Sequence, residues 1–415
     1  MGLTVFDCYN RLITAVHATY PDVPIETMVV ECLDLYMQHL FPLMPLLHEA
    51  TQRANLSLVP AAYGSPAHDW PTRGWAIDTA AEELRVMRSF ALTTAICAEV
   101  ASVLPASIYP RGPALAGPLL RASRDMLHFY LEKDVESPDS SSLIIRYFHC
   151  NCVHTTGKTR VSWYKLGEAI RLAQEMRLHD ESSLVGLDPV ETQLRRNIFW
   201  QLYTGDKSAA ILNKRPFTLH DFNLDTPITT SFGAEVGTYG HTSLLDSGLE
   251  RSTQTFQKHL KAGFDMCQRL WTAASGLLFD LHLISASSTT LVHQSLTPDQ
   301  NAVLMDAYLS YVGVLDDMFP WTEENEGSEV IPEGARRFQQ RSLSAQKANL
   351  MVTYHCLNLI LLQKFAEAGM SHVVGISSEP LMLALRKTEI AQALLRVLQE
   401  TPFEALQVNG EPCVC

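Results

Sequence analysis

The chain has 415 residues, of which 47% are hydrophobic and 19% charged, and its 32 Lys and Arg against 45 Asp and Glu leave a net charge of −13. This much hydrophobic sequence excludes a generally disordered chain. The acidic balance and the lack of a concentrated basic face argue against direct binding to duplex DNA, because cationic side chains must displace the counterions of the phosphates.

Apolar residues recur at spacings of three and four along almost the whole chain, which predicts an all-α fold. In chain order, the clearest stripes are Val29, Cys32, Leu33, Tyr36 and Leu40, then Leu166, Ala169, Ile170, Ala173 and Met176, then Phe199, Leu202, Tyr203 and Ala210.

No membrane span is predicted from the most apolar stretch, 91–108, because Glu99 and Pro105 interrupt it. Asp7 and Arg11 argue against a signal peptide at the N-terminus. We therefore expect the chain in the nucleus or the cytoplasm.

Clusters of turn-forming residues predict loops between the helices. They lie at 60–74, 110–118, 134–142 and 226–252, and an acidic loop runs over 321–334. The serines of 134–142 predict a cap for a helix that starts near Leu143. Pro380 opens a last helix, 381–399, with an apolar stripe at Leu383, Ile390, Ala393, Leu394 and Val397.

The domain organisation follows from these breaks. Helical pattern of similar composition resumes on both sides of 226–252, so this stretch is interpreted as a loop inserted in one body. We predict an N-terminal lead-in over 1–25, one large helical domain with irregular loops over 26–400, and a C-terminal tail over 401–415.

The nine cysteines are an odd number and mostly lie in apolar helical patterns, which indicates a reducing compartment. His149, Cys150, Cys152 and His154 form the densest group of zinc-ligand types. On a helix, Cys150 and His154 share a face while Cys152 points elsewhere, and no second pair is near in sequence. We predict no metal here, and no cofactor for the chain.

Four segments carry a resemblance to a known family. They are 36–49 (YMQHLFPLMPLLHE), 163–179 (WYKLGEAIRLAQEMRLH), 191–207 (ETQLRRNIFWQLYTGDK), and Lys214-Arg215-Pro216 followed by Asp225-Thr226-Pro227. In this order they resemble the regulatory middle homology region of fungal zinc-cluster transcription factors. The resemblance implies an all-α regulatory domain and marks as structural Arg195, Arg196, Phe199, Trp200, Asp206, Arg215, Pro216 and Asp225.

Departures from the family pattern are of two kinds. The family helix usually has Gly where Met176-Arg177 stand, and Asn213-Lys214 replace the usual Leu-Gly before Arg-Pro. Family members also normally begin with a six-cysteine zinc cluster, and these 415 residues contain no such cluster. The resemblance therefore implies a regulatory module without its own DNA-binding part.

The two arginines of the third segment are predicted to hold a carboxylate, because Arg commonly buries its stem and pairs its guanidinium. Asp206 lies about 15 Å from Arg196 along one helix, so Asp225 is predicted to be the easier partner. Pro216 is predicted to stop the helix and fix the exit of the chain. A structural clasp and a role in ligand recognition both remain open for this group.

Sequence motifs of catalysis are missing: there is no G-x-S-x-G elbow, H-E-x-x-H, Walker loop or G-x-G-x-x-G. Asp316-Asp317 lacks the further acid of a terpene-synthase-type metal motif. An apolar cavity with a few placed donors can still catalyse cyclisation and leaves little sequence trace. No catalytic residue is therefore assigned, and an enzyme of fungal specialised metabolism built on this fold stays the alternative.

An interior cavity lined by aromatic side chains is predicted for a helical body of this size. The candidate ligand-binding residues are Trp163, Trp200, Tyr203, Tyr354 and His355, with His355 as the polar contact. The favoured function is a regulatory module that senses a small-molecule effector or a protein partner. We expect no specific DNA binding by this chain alone and no membrane, and a homodimer is compatible with the low charge.

Overall fold

The computed structural model describes residues 5–56, 80–219, 243–245, 253–288, 297–316, 332–377 and 379–409. Within these ranges the chain forms fourteen α-helices and no β-strand. The all-α prediction is confirmed. The predicted loops at 60–74 and 226–252 lie outside the described residues, apart from 243–245, and so does most of the predicted loop 321–334.

The described contacts group into two compact units. The first comprises Met1–Asp206 and Phe217–Ser252, and the second comprises Lys207–Pro216 and Thr253–Cys415. One boundary falls inside a continuous helix, between Asp206 and Lys207. The single domain predicted over 26–400 stays a prediction.

The first unit contains eight complete helices and most of a ninth. They are α1 (Val5–His17), α2 (Ile25–Leu35), α3 (Glu49–Leu56), α4 (Ala80–Val103), α5 (Gly112–Phe129), α6 (Leu131–Glu136), α7 (Ser140–His154), α8 (Thr159–Glu175) and α9 (Pro189–Asn213). A π-helical turn, Tyr36–Leu40, extends α2, and a 3₁₀ turn, Glu181–Leu184, precedes α9.

The core of the first unit forms where α4 packs against α5 and α7, and where α7 packs against α8. The stripe of α2 and its π turn is buried as predicted, and so are Leu166, Ile170 and Ala173 of α8. Phe199, Leu202 and Tyr203 of α9 are buried too. Spacings of three and four thus identified the inner faces of these helices.

The second unit contains the remaining helices: α10 (Gln254–Ser288), α11 (Pro298–Gly313), α12 (Glu333–Glu367), α13 (Pro380–Glu400) and α14 (Phe403–Gln407). A 3₁₀ turn, Ser371–Val374, follows α12. Helix α12 packs against α10, α13 and α14, and the core centres on Leu270, Tyr311, Leu361 and Phe365.

Two predicted helix boundaries can be compared with the structure. Helix α7 starts at Ser140, three residues earlier than predicted. Its N-cap is Asp139 and not one of the predicted serines, although Ser142 completes a capping box with Asp139. Helix α13 begins at Pro380, with Glu379 as its N-cap residue. Of its predicted apolar stripe, only Ile390 is buried. The opposite face exposes Leu381, Leu385 and Leu395.

Helix α4 contains a stretch, Glu83–Val103, that is long and apolar enough to cross a membrane by length and composition alone. In this structure 78% of that stretch is buried inside the protein. Its apolar side chains are therefore covered by neighbouring helices, chiefly α5 and α7.

Two helix ends explain the departures from the family pattern. Among the described non-glycine residues, only Arg177 (φ 52°) and Lys214 (φ 55°) have positive φ. They follow α8 and α9 at the positions where the resembling family usually has Gly. A left-handed residue at this point ends a helix, and Gly adopts it without the clash of a Cβ with its own backbone. Both positions here keep the conformation and lack the glycine.

Replacing Lys214 by glycine is expected to raise the free energy of unfolding of the second unit by about 0.5–1 kcal/mol. Left-handed backbone costs a residue with a Cβ about 1–2 kcal/mol, and the greater unfolded-state freedom of Gly offsets part of the gain. Urea unfolding checks this result. Lys214→Ala, which keeps the Cβ, is the matched control, and equal stability of the two variants would contradict the explanation.

Candidate functional site

An irregular segment, Phe41–His48, connects the π turn to α3 and is here called the strap. Its backbone carbonyls are held by side chains. The Tyr36 hydroxyl donates to the Met44 carbonyl (2.6 Å), the Asn197 amide to the Pro45 carbonyl (2.7 Å) and the Gln201 amide to the Leu43 carbonyl (2.8 Å). Two of the resembling segments, more than 150 residues apart, therefore fasten to each other.

Replacing Asn197 by alanine is expected to cost about 1–3 kcal/mol of stability in the first unit. Asn197 is 4% exposed, and its loss leaves the Pro45 carbonyl and the Gln193 amide, which donates to Asn197, without those partners. Thermal and urea unfolding measure the change. Asn10→Ala, at an exposed position of α1, should change stability by less than about 0.5 kcal/mol, and equal effects would contradict this role.

The third segment is fastened through Asp206. This carboxylate is 2% exposed and accepts hydrogen bonds from the backbone N–H groups of Thr218 (3.1 Å) and Leu219 (3.0 Å). It thereby anchors the chain just after Arg215-Pro216. Helix α9 ends at Asn213, where the left-handed residue Lys214 follows it, so the helix stops before it reaches Pro216, which was predicted to stop it.

The predicted partners of the two arginines are corrected by the structure. Arg195 pairs with Glu191, its neighbour one turn back on α9 (Nε to Oε1, 2.6 Å), and Arg196 pairs with Glu181 of the 3₁₀ turn. Asp206 is not their partner, because it lies about three turns further on and holds backbone N–H groups instead. Asp225 lies outside the described residues.

A buried ion-pair network joins α4, α6 and α7 and centres on Asp134, which is fully buried. Arg88 donates to Asp134 Oδ1 through Nε (3.0 Å) and Nη2 (2.7 Å), and Arg146 donates to Asp134 Oδ2 through Nη1 (2.6 Å). The Ser142 hydroxyl adds a third donor side chain at 2.7 Å. Arg88 also bonds Asp139 Oδ2 (2.7 Å) and the Ser137 carbonyl (2.8 Å).

A cleft of about 1050 Å³ lies beside this network. All of its walls belong to the first unit: the end of the strap, α3, the first half of α4, the corner from α6 to α7, and the start of α9. Its volume is at the upper end of the range typical of small-molecule sites. Its lining combines polar side chains with Leu84, Leu92, Val190 and Leu194.

The group His149–His154 on α7 places its side chains among separate partners. His149 Nε2 lies 2.8 Å from Ser123 Oγ, and because that hydroxyl donates to the Ala91 carbonyl, its oxygen accepts from the ring N–H. Cys150 contacts Ser162, and Cys152 contacts Glu99. In the described ranges no three His, Cys, Asp or Glu side chains come together as a metal site. The absence of a metal stays a prediction.

Burial shifts the titration of this group. It lowers the pKa of His149 to about 3 and raises the pKa of Cys150 to about 11. Glu99, fully buried on α4, has its pKa raised by burial to about 8, against the opposing hydrogen bonds from Asn151 and Cys152. At neutral pH these groups are uncharged, as buried groups without a charged partner should be.

The predicted ligand-binding residues form two separate groups. Trp200 and Tyr203 of α9 pack edge to face in the first unit, with ring centroids 5.0 Å apart, and Trp163 of α8 belongs to the same unit. Tyr354 and His355 of α12 lie in the second unit, where Tyr354 stacks on Tyr311. None of the five lines the cleft, and their role in binding stays a prediction.

The network and the cleft were missed by the sequence reasoning. Asp134, Asp139 and Ser142 fall in a stretch that was interpreted only as a loop and cap. Arg88 is one of two arginines in the long helix α4, and such a residue usually marks a solvated face. The available signal was its position inside that pattern, where a charge must be paired if it is buried.

The chain is similar to known fungal transcription factors. Residues 112–261 match the family described as the fungal specific transcription factor domain. The chain is 25% identical over 310 residues to the citrinin biosynthesis transcriptional activators mrl3 of Monascus ruber and ctnR of Monascus purpureus, covering 71% of this chain and 53% and 47% of theirs. It therefore spans about half the length of these curated relatives.

A further relative is the aurofusarin cluster transcription factor aurR2 of Gibberella zeae, which is 32% identical over 132 residues, covering 25% of this chain and 20% of that protein. No solved structure matches the chain. The matched region, 112–261, contains α5 to α9 and therefore most of the fastened segments described above.

Proposed function

Because residues 112–261 match the family described as the fungal specific transcription factor domain, we propose that this chain is a regulatory middle homology module that controls transcription of specialised-metabolism genes. The observation that carries the proposal is that the matched region contains α5 to α9, where most of the resembling segments lie. The relatives named for citrinin and aurofusarin support the kind of genes. The comparisons give the enzyme alternative no support.

The module acts on transcription through a DNA-binding part other than the residues described here. A net charge of −13 opposes association with phosphates. Arg88, Arg146 and Arg195 are engaged by Asp134, Asp139 and Glu191 inside the first unit, so these cations are unavailable to DNA. We therefore expect the purified chain to show no sequence-specific binding to duplex DNA at physiological salt.

Regulation in this proposal requires an input, either a small-molecule effector or a protein partner, and the nucleus is its site of action. The cleft of the first unit supplies a place for an effector. The exposed face of α13 supplies apolar surface for a partner, a second copy of the chain included. Neither use needs a membrane.

A reporter experiment tests the proposal. The full chain is fused to a heterologous DNA-binding domain in a fungal host, and expression of a reporter with matching binding sites is measured. We expect the fusion to change reporter output relative to the DNA-binding domain alone, and Arg160→Trp, at an exposed position of α8, to behave as the parent chain. Output equal to that of the DNA-binding domain alone under all growth conditions would refute the proposal.

A further inference from the structure

Arg88 and Glu191, two charged side chains of the cleft, are already engaged by neighbouring groups. Arg88 uses four of its five N–H groups on Asp134, Asp139 and the Ser137 carbonyl. Glu191 accepts from the backbone N–H and the hydroxyl of Ser140 (2.9 and 2.6 Å) and from Arg195 Nε (2.6 Å). An ionic ligand that binds Arg88 or Glu191 would therefore compete with bonds that already stabilise the walls.

Of the other charges of the lining, Lys133 and Asp188 are engaged, whereas Glu132 and Glu136 pair with no described residue. Lys133 pairs with Glu83 outside the lining, and Asp188 accepts from the first N–H groups of α9. The lining carries Arg85, Arg88 and Lys133 against Glu132, Glu136, Asp139, Asp188 and Glu191. Its formal charge is 3 − 5 = −2, which disfavours an anionic ligand.

Four neutral polar side chains of the lining are available for hydrogen bonds. Gln52 and Asn55 of α3, Ser89 of α4 and Ser141 of α7 make no side-chain hydrogen bond to any described residue. Gln52 is 8% exposed, so its amide is largely withdrawn from bulk water. Amide and hydroxyl groups both donate and accept, which suits hydroxyl and carbonyl groups on a ligand.

The apolar part of the lining requires an apolar surface on the same ligand. Leu84 and Leu92 come from α4, and Val190 and Leu194 from α9. Small-molecule sites typically combine such aliphatic walls with a few convergent polar groups. A fully polar sugar-like ligand would leave these walls unused, and a plain hydrocarbon would leave the amides and hydroxyls unpaired.

We propose that this cleft binds an uncharged, hydroxylated ring compound, with its hydroxyl or carbonyl groups on Gln52, Asn55, Ser89 and Ser141 and its ring against Leu84, Leu92, Val190 and Leu194. The role of this compound as the effector rests on the proposed regulatory function. Its binding does not depend on any transcriptional output.

Matched probes on one ring test the ligand class. Binding of 3,5-dihydroxybenzyl alcohol, 3,5-dihydroxybenzoate and 3,5-dihydroxybenzylamine to the full chain is measured by saturation-transfer NMR and titration, with myo-inositol as a hydroxylated compound without an apolar ring. We expect the neutral alcohol to bind, and the carboxylate and inositol to bind at least about tenfold more weakly. Equal or tighter binding of the carboxylate or the amine, or no binding of the alcohol, would overturn the proposal.

Variants test the place of binding. Ser89→Trp fills the cleft, and Gln52→Leu keeps the volume of the side chain but removes its amide, so each should weaken binding of the alcohol at least about fivefold. Arg160→Trp, which adds the same indole at an exposed position of α8, should leave binding unchanged. Unweakened binding by both cleft variants would place the ligand elsewhere and overturn the assignment.

The two proposals fail separately. If the probes do not bind but the fusion still controls the reporter, the cleft is not the effector site and the regulatory function stands. If the probes bind as expected but the fusion leaves the reporter unchanged, the ligand class stands and the regulatory function is wrong.

Discussion

Replacing Asp134 by alanine is expected to lower the free energy of unfolding of the first unit by about 3–5 kcal/mol. Asp134 is fully buried and receives hydrogen bonds from Arg88, Arg146 and Ser142. Without it, two largely buried guanidinium groups lose their central counter-charge, and Asp139 alone remains to pair Arg88. Burying an unpaired charge is among the most costly changes a core can undergo.

Urea unfolding, with hydrogen exchange of the α7 amides as the readout, measures this loss of free energy of unfolding in the first unit. Asp125→Ala, at an exposed position of α5, is the matched control and should cost less than about 0.5 kcal/mol. A triple variant, Arg88→Met, Asp134→Leu and Arg146→Met, should recover most of the stability, because it removes all three charges together. A cost below about 1 kcal/mol for Asp134→Ala would contradict the assigned role.

The helices were predictable because their inner faces repeat in sequence. Val29, Cys32 and Leu33 of α2, and Leu166 and Ile170 of α8, lie three or four residues apart and are all buried. A periodic pattern identifies such a face from one local stretch. It does not identify the neighbour that covers the face, and the grouping into two units depends on those neighbours.

The site was only partly predictable because its contacts join residues far apart in sequence. Arg88 and Asp134 are 46 positions apart, and Asn197 and Pro45 are 152 apart. The resembling segments indicated which residues matter, but their partners depend on where the strap and α9 meet. Arg195 and Arg196 show the limit: the need for a carboxylate was predicted, and its identity was not.

Glu99 was already conspicuous in the sequence, because it interrupts the most apolar stretch of the chain. The structure places its carboxyl group in the core of the first unit. Asn151 Nδ2 donates to Oε1 (2.9 Å), and the Cys152 thiol lies 3.6 Å from Oε2. Asn151 also contacts the sulfur of Met44 in the strap (3.8 Å). No cationic side chain among the described residues contacts this carboxyl group, so burial favours its protonated form.

The consequence for pH has a definite sign. The pKa of Glu99 rises from 4.5 to about 8 on folding, so between these values the folded protein binds more protons than the unfolded chain. Stability from this group therefore falls as pH rises through that window. His149 acts in the opposite sense, because its pKa falls from 6.5 to about 3 on folding and protonation of the unfolded chain lowers stability below pH 6.5.

Replacing Glu99 by glutamine is therefore expected to stabilise the first unit at high pH. Glutamine keeps the shape and the carbonyl that accepts from Asn151, but it does not ionise, so the cost of deprotonation in the core disappears. The gain in free energy of unfolding should be near zero at pH 4.5 and grow to a few kcal/mol at pH 8, by the order of magnitude of the pKa shift.

Urea unfolding at several pH values measures this gain, with Glu175→Gln at an exposed position of α8 as the matched control. A gain that does not change with pH, or a loss of stability at pH 8, would show that Glu99 is ionised in the folded protein and stabilised by partners other than Asn151 and Cys152.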